Sequence, residues 1–150
     1  MIRRIKFARF TRAELNSDWR NINYSALDVE TTGLALKEDE IISIGVAHIH
    51  AGRVRTENNF YREIRPKRLP SPESIRIHNL RGIDLEETAP IESVLPDFVA
   101  EVEGKVLIAH AAWVEYAFLK RLLRRTNVIF SKQMIDTAAL ARAAGYAADV

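Results

Sequence analysis

The alternation of apolar and polar residues predicts three strands at the start of the folded region. The first strand spans Tyr24 to Val29 and runs into turn residues at 31–33. The second, from Ile41 to Ile49, is apolar or small on both sides, which indicates burial on two faces. Gly52 then turns the chain into a third strand over Arg53 to Ile64. The short connection between the second and third strands favours a hairpin.

After residue 70 the pattern changes to the spacing of amphipathic helices. Ser71 and Pro72 have the residue types of an N-cap and a first helical position, and apolar residues recur at helical spacing from Pro90 to Val102. The remaining elements are two short strands over Lys105–His110 and Gln133–Asp136, each followed by a helix, over Ala112–Arg125 and Thr137–Ala144. This order predicts an α/β fold with a mixed β-sheet flanked by helices.

Composition narrows the class of protein. A length of 150 residues fits one domain, and 47% hydrophobic with 28% charged residues excludes a disordered or low-complexity chain. The absence of cysteine excludes disulfides and thiolate metal sites and favours a reducing, cytoplasmic location. No apolar run reaches the roughly 18 residues of a membrane span, so we expect no membrane partner.

Positive charge is concentrated locally although the formal net charge is only +2. Residues 1–20 hold six basic and two acidic residues, which predicts a basic N-terminal extension before a domain over 21–150. Residues 53–81 hold eight basic and three acidic residues, and a further cluster, predicted to face outward from a helix, consists of Lys120, Arg121, Arg124 and Arg125. Such patches suit a polyanion such as a nucleic acid, and ordinary solvated faces are the alternative.

Asp28-Val29-Glu30 is the segment with the strongest indication of chemistry. Residues i and i+2 of a strand share a face, so the two carboxylates are predicted to lie side by side among apolar neighbours. That arrangement is unfavourable unless a cation neutralises the pair. Oxygen ligands alone favour Mg²⁺ or Mn²⁺. A chance pair of acids at a strand end is the alternative.

The residues that follow extend this pair into D-V-E-T-T-G-L, over 28–34. The segment resembles the first motif of the DEDD (DEDDh) 3′–5′ exonuclease family, the group that includes the epsilon subunit of bacterial DNA polymerase III. Residues 74–80, 107–119 and 134–142 are similar to further family segments, with Asn79 in place of a usual glycine. The resemblance therefore covers the chain from about Tyr24 to Arg142.

The resemblance implies an RNase H-like fold and hydrolysis of phosphodiesters at the 3′ end of single-stranded DNA, with two Mg²⁺ or Mn²⁺ ions. By analogy with the family, the catalytic and metal-binding residues are Asp28, Glu30 and Glu115; Glu115 stands where the family has aspartate. The residues implied to contact substrate are Val29, Thr31, Thr32, Gly33, Leu34, His78 and Val114. Leu34 is expected to pack against the terminal base.

One family motif has no counterpart in this sequence. The family's third motif, H-x4-D, supplies the general base, yet no histidine follows His110. We expect the fold to be C-terminally truncated and the 150-residue chain to have little activity by itself; a natural form that has lost activity is the alternative. The partner could be a polymerase or fused domains, in proofreading or repair. An RNA-directed exonuclease of the RNase T or oligoribonuclease kind, or a non-catalytic module that binds nucleic acid or protein, also stays open.

Overall fold

The computed structural model describes residues 16–124 and 134–146, which form one mixed sheet with helices. The strands are β1 (Tyr24–Thr31), β2 (Ile41–His50), β3 (Arg53–Arg65), β4 (Ala89–Pro90), β5 (Val106–Ala109) and β6 (Met134–Asp136). The helices are α1 (Pro72–His78), α2 (Gly82–Leu85), α3 (Ile91–Val102), α4 (Trp113–Leu123) and α5 (Thr137–Ala143). A single 3₁₀ turn, Trp19–Asn21, precedes the sheet.

The six strands are arranged in the order β4-β3-β2-β1-β5-β6. β1, β2 and β3 are antiparallel neighbours, whereas β5 lies parallel to β1 and β6 lies parallel to β5. The predicted α/β fold with a mixed sheet is confirmed. Among the described residues, the sequence pattern missed α2, β4 and the 3₁₀ turn, because elements of two to four residues are too short to show a periodicity.

Helices α3 and α4 cover one face of the sheet and form the core with it. Phe98 of α3 is completely buried, and its ring lies 6.5 Å from the ring of Phe60 on β3. Leu27 and Val29 project from β1 into the same cluster. The neighbouring β1 residues therefore point to the opposite face, because side chains alternate along a strand.

Side chains cap the starts of α1, as predicted, and of α5. The Ser71 hydroxyl accepts a hydrogen bond from the Ser74 amide at 3.1 Å, and Pro72 follows it as the first helical residue. The Asp136 carboxylate accepts from the Ala138 amide at 2.9 Å at the start of α5. These side chains satisfy amides that have no partner within the helix.

The prediction that the basic residues of α4 all face outward is wrong for Arg121. Its side chain is half-buried, and its guanidinium donates hydrogen bonds to the backbone carbonyls of Leu36 and Asp39. Arg121 therefore ties α4 to the loop between β1 and β2. Arg125 lies outside the described residues.

The predicted N-terminal extension falls mostly on residues 1–15, which lie outside the described part of the chain. The Tyr24 hydroxyl donates to the backbone carbonyl of Trp19 at 3.0 Å. The boundary near residue 20 stays a prediction. Within 16–124 and 134–146, no helix has both the length and the hydropathy needed to cross a membrane.

We expect Phe98→Ala to lower the free energy of unfolding by about 3–5 kcal/mol, because it removes a completely buried aromatic ring and leaves a cavity. Urea denaturation followed by circular dichroism measures the change. Ile77→Ala, at a side chain that is 79% exposed, is the control and should change stability by less than about 0.5 kcal/mol. Equal losses in the two variants would contradict the described core.

Candidate active site

Asp28 and Glu30 lie on the face of β1 opposite the core. Asp28 is exposed and pairs across the sheet with Gly45, while Glu30 is half-buried and pairs with Ser43. Burial raises the pKa of Glu30, the negative charge of Asp28 raises it further, and His78 acts in the opposite direction. The predicted side-by-side arrangement of the two carboxylates is therefore present.

Glu115 contributes a third carboxylate from the first turn of α4. Its side chain is buried, and its Oε2 atom has no hydrogen-bond partner among the described residues. Burial raises the pKa of Glu115 to about 7. A hydrogen bond to its own backbone lowers this pKa, and the negative charges of Asp28 and Asp136 raise it. The structure thus places Asp28 close enough to influence both Glu30 on its own strand and Glu115 on α4.

Glu30 and Glu115 are in environments that disfavour their negative charge. A buried carboxylate loses hydration, and like charges nearby add to the cost. A cation would relieve both effects. Across the residues that the structure describes, however, no three histidine, cysteine or acidic side chains are already arranged so that they could hold a metal ion.

The predicted substrate loop follows β1 directly and is held by its own polar side chains. The Thr31 hydroxyl donates to the Gly33 carbonyl at 2.8 Å, and the Thr32 hydroxyl donates to the Asp39 carboxylate at 2.8 Å. Both threonines are buried, whereas Leu34 is 75% exposed. The two threonines are therefore hydrogen-bonded inside the protein, while the apolar side chain of Leu34 is exposed to solvent.

His78, which the family resemblance implies to contact the substrate, ends α1 close enough to Glu30 to affect its pKa. Its Nδ1 atom accepts a hydrogen bond from the Leu80 amide at 3.0 Å, which leaves the ring proton on Nε2. That Nε2 atom is buried and has no partner within the described part of the chain. A buried donor without an acceptor is unfavourable, so His78 is suited to an acceptor on a ligand.

Two predicted contact residues, Val29 and Val114, have side chains directed toward the core. Val29 is a member of the buried cluster, and Val114 packs against it while partly buried. Any contact that Val29 makes with a substrate must therefore involve mainly its backbone, whereas part of the Val114 side chain stays at the surface. The assignment of all predicted substrate residues stays a prediction.

Tyr61 is a neighbour of the site that the sequence analysis did not identify. It pairs with Gly45, which in turn pairs with Asp28, so its ring lies across a glycine from the acidic strand end. Burial raises its pKa, and Glu30 is among the negative groups that raise it further. The pairing depends on the register of the β2–β3 hairpin, including an irregularity between Val46 and His48, which no sequence pattern indicates.

The same sheet face has a shallow cavity of about 470 Å³ beside Asp28. Small residues form much of its floor because Ala26, Gly45 and Ala47 lie on adjacent strands. Ile108 and His110 of the β5 end also line it. Asp28 is therefore accessible from this side of the sheet.

Several basic residues of the 53–81 patch are already paired with acids. The pairs are Arg55 with Glu57 at 3.9 Å, Arg68 with Glu38 at 2.9 Å, Arg76 with Glu73 at 3.0 Å and Arg81 with Asp84 at 2.8 Å. Exposed pairs of this kind stabilise a protein little. They also reduce the positive charge that the patch offers to phosphates.

The chain matches the Exonuclease (RNase T) family over residues 25–147. The PolC-type DNA polymerase III of Thermotoga petrophila is 35% identical over 128 residues, covering 85% of this chain and 9% of that protein. The epsilon subunit of DNA polymerase III of Rickettsia conorii is 33% identical over 122 residues, covering 77% of this chain and 53% of the subunit. The chain thus spans about half of the epsilon subunit and a small part of PolC.

Solved structures share the fold at lower identity. The nuclease domain of 3′hExo, a DEDDh family member bound to rAMP, aligns with a TM-score of 0.71 and 17% identity over 89% of this chain and 76% of that one. Exonuclease X in complex with 5′ overhanging duplex DNA aligns with a TM-score of 0.62 and 23% identity over 81% and 63%. With a family match over most of its length, this chain belongs to the RNase T exonucleases, within the DEDD group of 3′–5′ exonucleases.

Proposed function

We propose that this chain is a 3′–5′ exonuclease domain that acts on single-stranded DNA ends as part of a DNA polymerase III-related protein, in proofreading or repair in the cytoplasm. The observation that supports this function best is that Asp28 lies close enough to both Glu30 and the buried Glu115 to raise their pKa values, on the strand that leads into the loop of Leu34. The similar proteins include a PolC-type DNA polymerase III and an epsilon subunit of DNA polymerase III. A polymerase subunit or fused domains are therefore the proposed partners.

Asp28, Glu30 and Glu115 are the proposed ligands of Mg²⁺ or Mn²⁺. Their oxygen-only donor set fits these ions, and the unpartnered Oε2 of Glu115 supplies a buried acceptor that a cation would satisfy. When bound, two such ions would activate a water and stabilise the leaving 3′ oxygen. Glu115 has one methylene group more than the aspartate of the family motif. Its carboxylate therefore lies farther from the helix backbone, and we propose that it would bind the ion from that longer distance.

The proposed substrate end lies over the loop of Thr31 to Leu34. Leu34 would pack against the terminal base, and the Nε2–H group of His78 would donate to an acceptor on the terminal nucleotide. Tyr61 borders the same end of the sheet and would limit how the strand approaches. E. coli exonuclease I, which shares the fold with a TM-score of 0.71, has been solved with single-stranded DNA.

Two observations favour other substrates or roles. The related fold of 3′hExo is bound to rAMP, which favours an RNA 3′ end as the alternative substrate. The absence of histidine from residues 111–150 favours a module that binds nucleic acid without cleaving it. Faster digestion of an RNA than of a DNA oligonucleotide of the same sequence would support the RNA alternative. Oligonucleotide binding without any turnover in Mg²⁺ or Mn²⁺ would support the non-catalytic alternative.

We expect Mn²⁺ to stabilise the unaltered chain and not Glu115→Gln. A ligand at one hundred times its Kd adds about 2.7 kcal/mol to the free energy of unfolding, and calorimetry with thermal unfolding measures both binding and stabilisation. Glu103→Gln, at an exposed acid, is the matched control and should keep the Mn²⁺ effect. Equal Mn²⁺ stabilisation of Glu115→Gln would refute the assignment of Glu115 as a ligand.

Without metal, Glu115→Gln should be more stable than the unaltered chain at pH 8. The pKa of Glu115 is raised to about 7 by burial, so the folded chain retains a proton that the unfolded chain releases near the model-peptide pKa of 4.5. Stability therefore falls as the pH rises from about 4.5 to 7, and the glutamine variant lacks this contribution. Urea denaturation at several pH values measures it; a parallel decline in both proteins would contradict the burial of this charge.

Asp28→Ala should abolish degradation of a 3′-labelled single-stranded oligonucleotide in Mn²⁺ or Mg²⁺, while Asp97→Ala, at an exposed acid on α3, should leave it unchanged.

We expect turnover of the 150-residue chain to be low, since a general base contributes about 10²–10⁴-fold. Added imidazole should raise that turnover by replacing the missing base. Degradation that needs no metal, or that survives in Asp28→Ala, would count against the proposed function.

A further inference from the structure

The carboxylate of Asp39 lies at the centre of the loop that joins β1 to β2. Its Oδ1 atom accepts a hydrogen bond from the Thr32 hydroxyl at 2.8 Å, and its Oδ2 atom accepts from the Ala35 amide at 2.7 Å. One side chain thus spans the loop on both sides of Gly33 and Leu34. Bonds to a charged acceptor are stronger than those between neutral groups.

Backbone bonds close the loop around the same residues. The Thr32 amide donates to the Glu40 carbonyl at 2.9 Å, and the Glu40 amide donates to the Thr32 hydroxyl at 3.0 Å. The Thr32 carbonyl accepts from the Ser71 amide at 2.9 Å, which attaches the loop to the start of α1. The amide, the carbonyl and the hydroxyl of Thr32 are therefore all hydrogen-bonded, and the hydroxyl donates its hydrogen bond to Asp39.

Gly33 leaves the space that the Asp39 carboxylate occupies. A Cβ atom on Gly33 would lie 2.5 Å from Oδ2, 2.9 Å from Cγ and 3.0 Å from Oδ1 of Asp39. The carboxylate cannot move aside without breaking its bonds to Thr32 and Ala35. The glycine is thus needed for a contact inside the protein, independently of any approach by a ligand.

Arg121 fixes the outer half of the loop to α4. Its guanidinium donates to the carbonyls of Leu36 and Asp39, so a rigid two-armed donor connects the loop to the helix that carries Glu115. The loop bearing Leu34 and the helix bearing Glu115 are therefore held in one geometry. A lysine could not make both bonds with the same fork.

We infer that Asp39 is a positioning residue that sets the shape of the substrate loop. Gly33 is required because a side chain there would clash with the Asp39 carboxylate, and Arg121 holds the loop against α4. The inference rests on the proposed function, since it gives the loop its role in holding the 3′ end. None of the three residues is a proposed metal ligand. Substitutions at Asp39 should therefore weaken oligonucleotide binding while leaving Mn²⁺ binding intact.

The test is a double-mutant cycle of Gly33→Ala and Asp39→Ala in the 150-residue chain. Binding of a short 5′-fluorescein-labelled oligothymidylate in Ca²⁺ is measured by anisotropy, with Mn²⁺ binding by calorimetry as the second readout. We expect each single variant to raise the oligonucleotide Kd by about tenfold or more, equivalent to about 1.4 kcal/mol. We expect the double variant to equal Asp39→Ala, because the clash partner of the new methyl group is gone.

Three further variants keep the result interpretable. Asp39→Asn retains an acceptor for Thr32 but loses the one for the Ala35 amide, and Arg121→Lys keeps the charge but loses the fork, so both should give intermediate Kd values. Glu38→Ala, whose carboxylate pairs with Arg68 on the outside of the loop, is the matched control and should bind normally. Additive losses for Gly33→Ala and Asp39→Ala would overturn the inference and return Gly33 to a direct role at the ligand.

Amide hydrogen exchange distinguishes failure of the inference from failure of the proposed function. Asp39→Ala should lose protection at the amides of Thr32, Ala35 and Glu40 and retain it along β1. Normal exchange and normal oligonucleotide binding in that variant would overturn the inference alone. No oligonucleotide binding by the unaltered chain would overturn the proposed function, and the loop's substrate role with it, whatever the exchange shows.

Discussion

Burial of carboxylates close to a further negative charge at the end of β1 is the constraint on which the rest of this site depends. Asp28 and Glu30 share one face of a strand, and Glu115 adds a buried acid from α4. Burial and the neighbouring acids raise the pKa values of Glu30 and Glu115, which is the response expected where charge is desolvated beside like charge. Such acids are typical of functional sites, where a ligand offsets the unfavourable charge. The carboxylates whose charge is disfavoured in the free protein are thus the same ones that are proposed to bind the metal ions.

The remainder of the sheet keeps that face open. Leu27 and Val29 direct the other side of β1 into the core beneath α3 and α4, which fixes the direction of Asp28 and Glu30. Across the strands, the absence of a side chain at Gly45 leaves Asp28 accessible beside Tyr61. The hydrophobic core therefore does more than stabilise the domain, because its packing determines which side chains face the substrate.

The loop after β1 connects this electrostatic centre to recognition of the substrate. Its conformation depends on buried polar groups, chiefly Thr32 and Asp39, and Arg121 joins it to the helix of Glu115. Partly buried hydrogen bonds of this kind are costly to leave incomplete, so such a network favours one loop shape over many. The acids and the proposed binding loop thus share supports on both β1 and α4.

The sequence alone determined the strands β1 to β3, the long helix α3, the pairing of Asp28 with Glu30 and the family, because strand alternation, helical spacing and a contiguous motif are local properties of the chain. Only the tertiary structure decided that Glu115 is buried near Asp28, that Tyr61 lies across Gly45 from Asp28, and that Asp39 and Arg121 hydrogen-bond within the loop. Those relations join residues distant in sequence through sheet register and helix packing, and no local pattern encodes them. The physical reason is that burial and electrostatic contact are properties of the packed elements together.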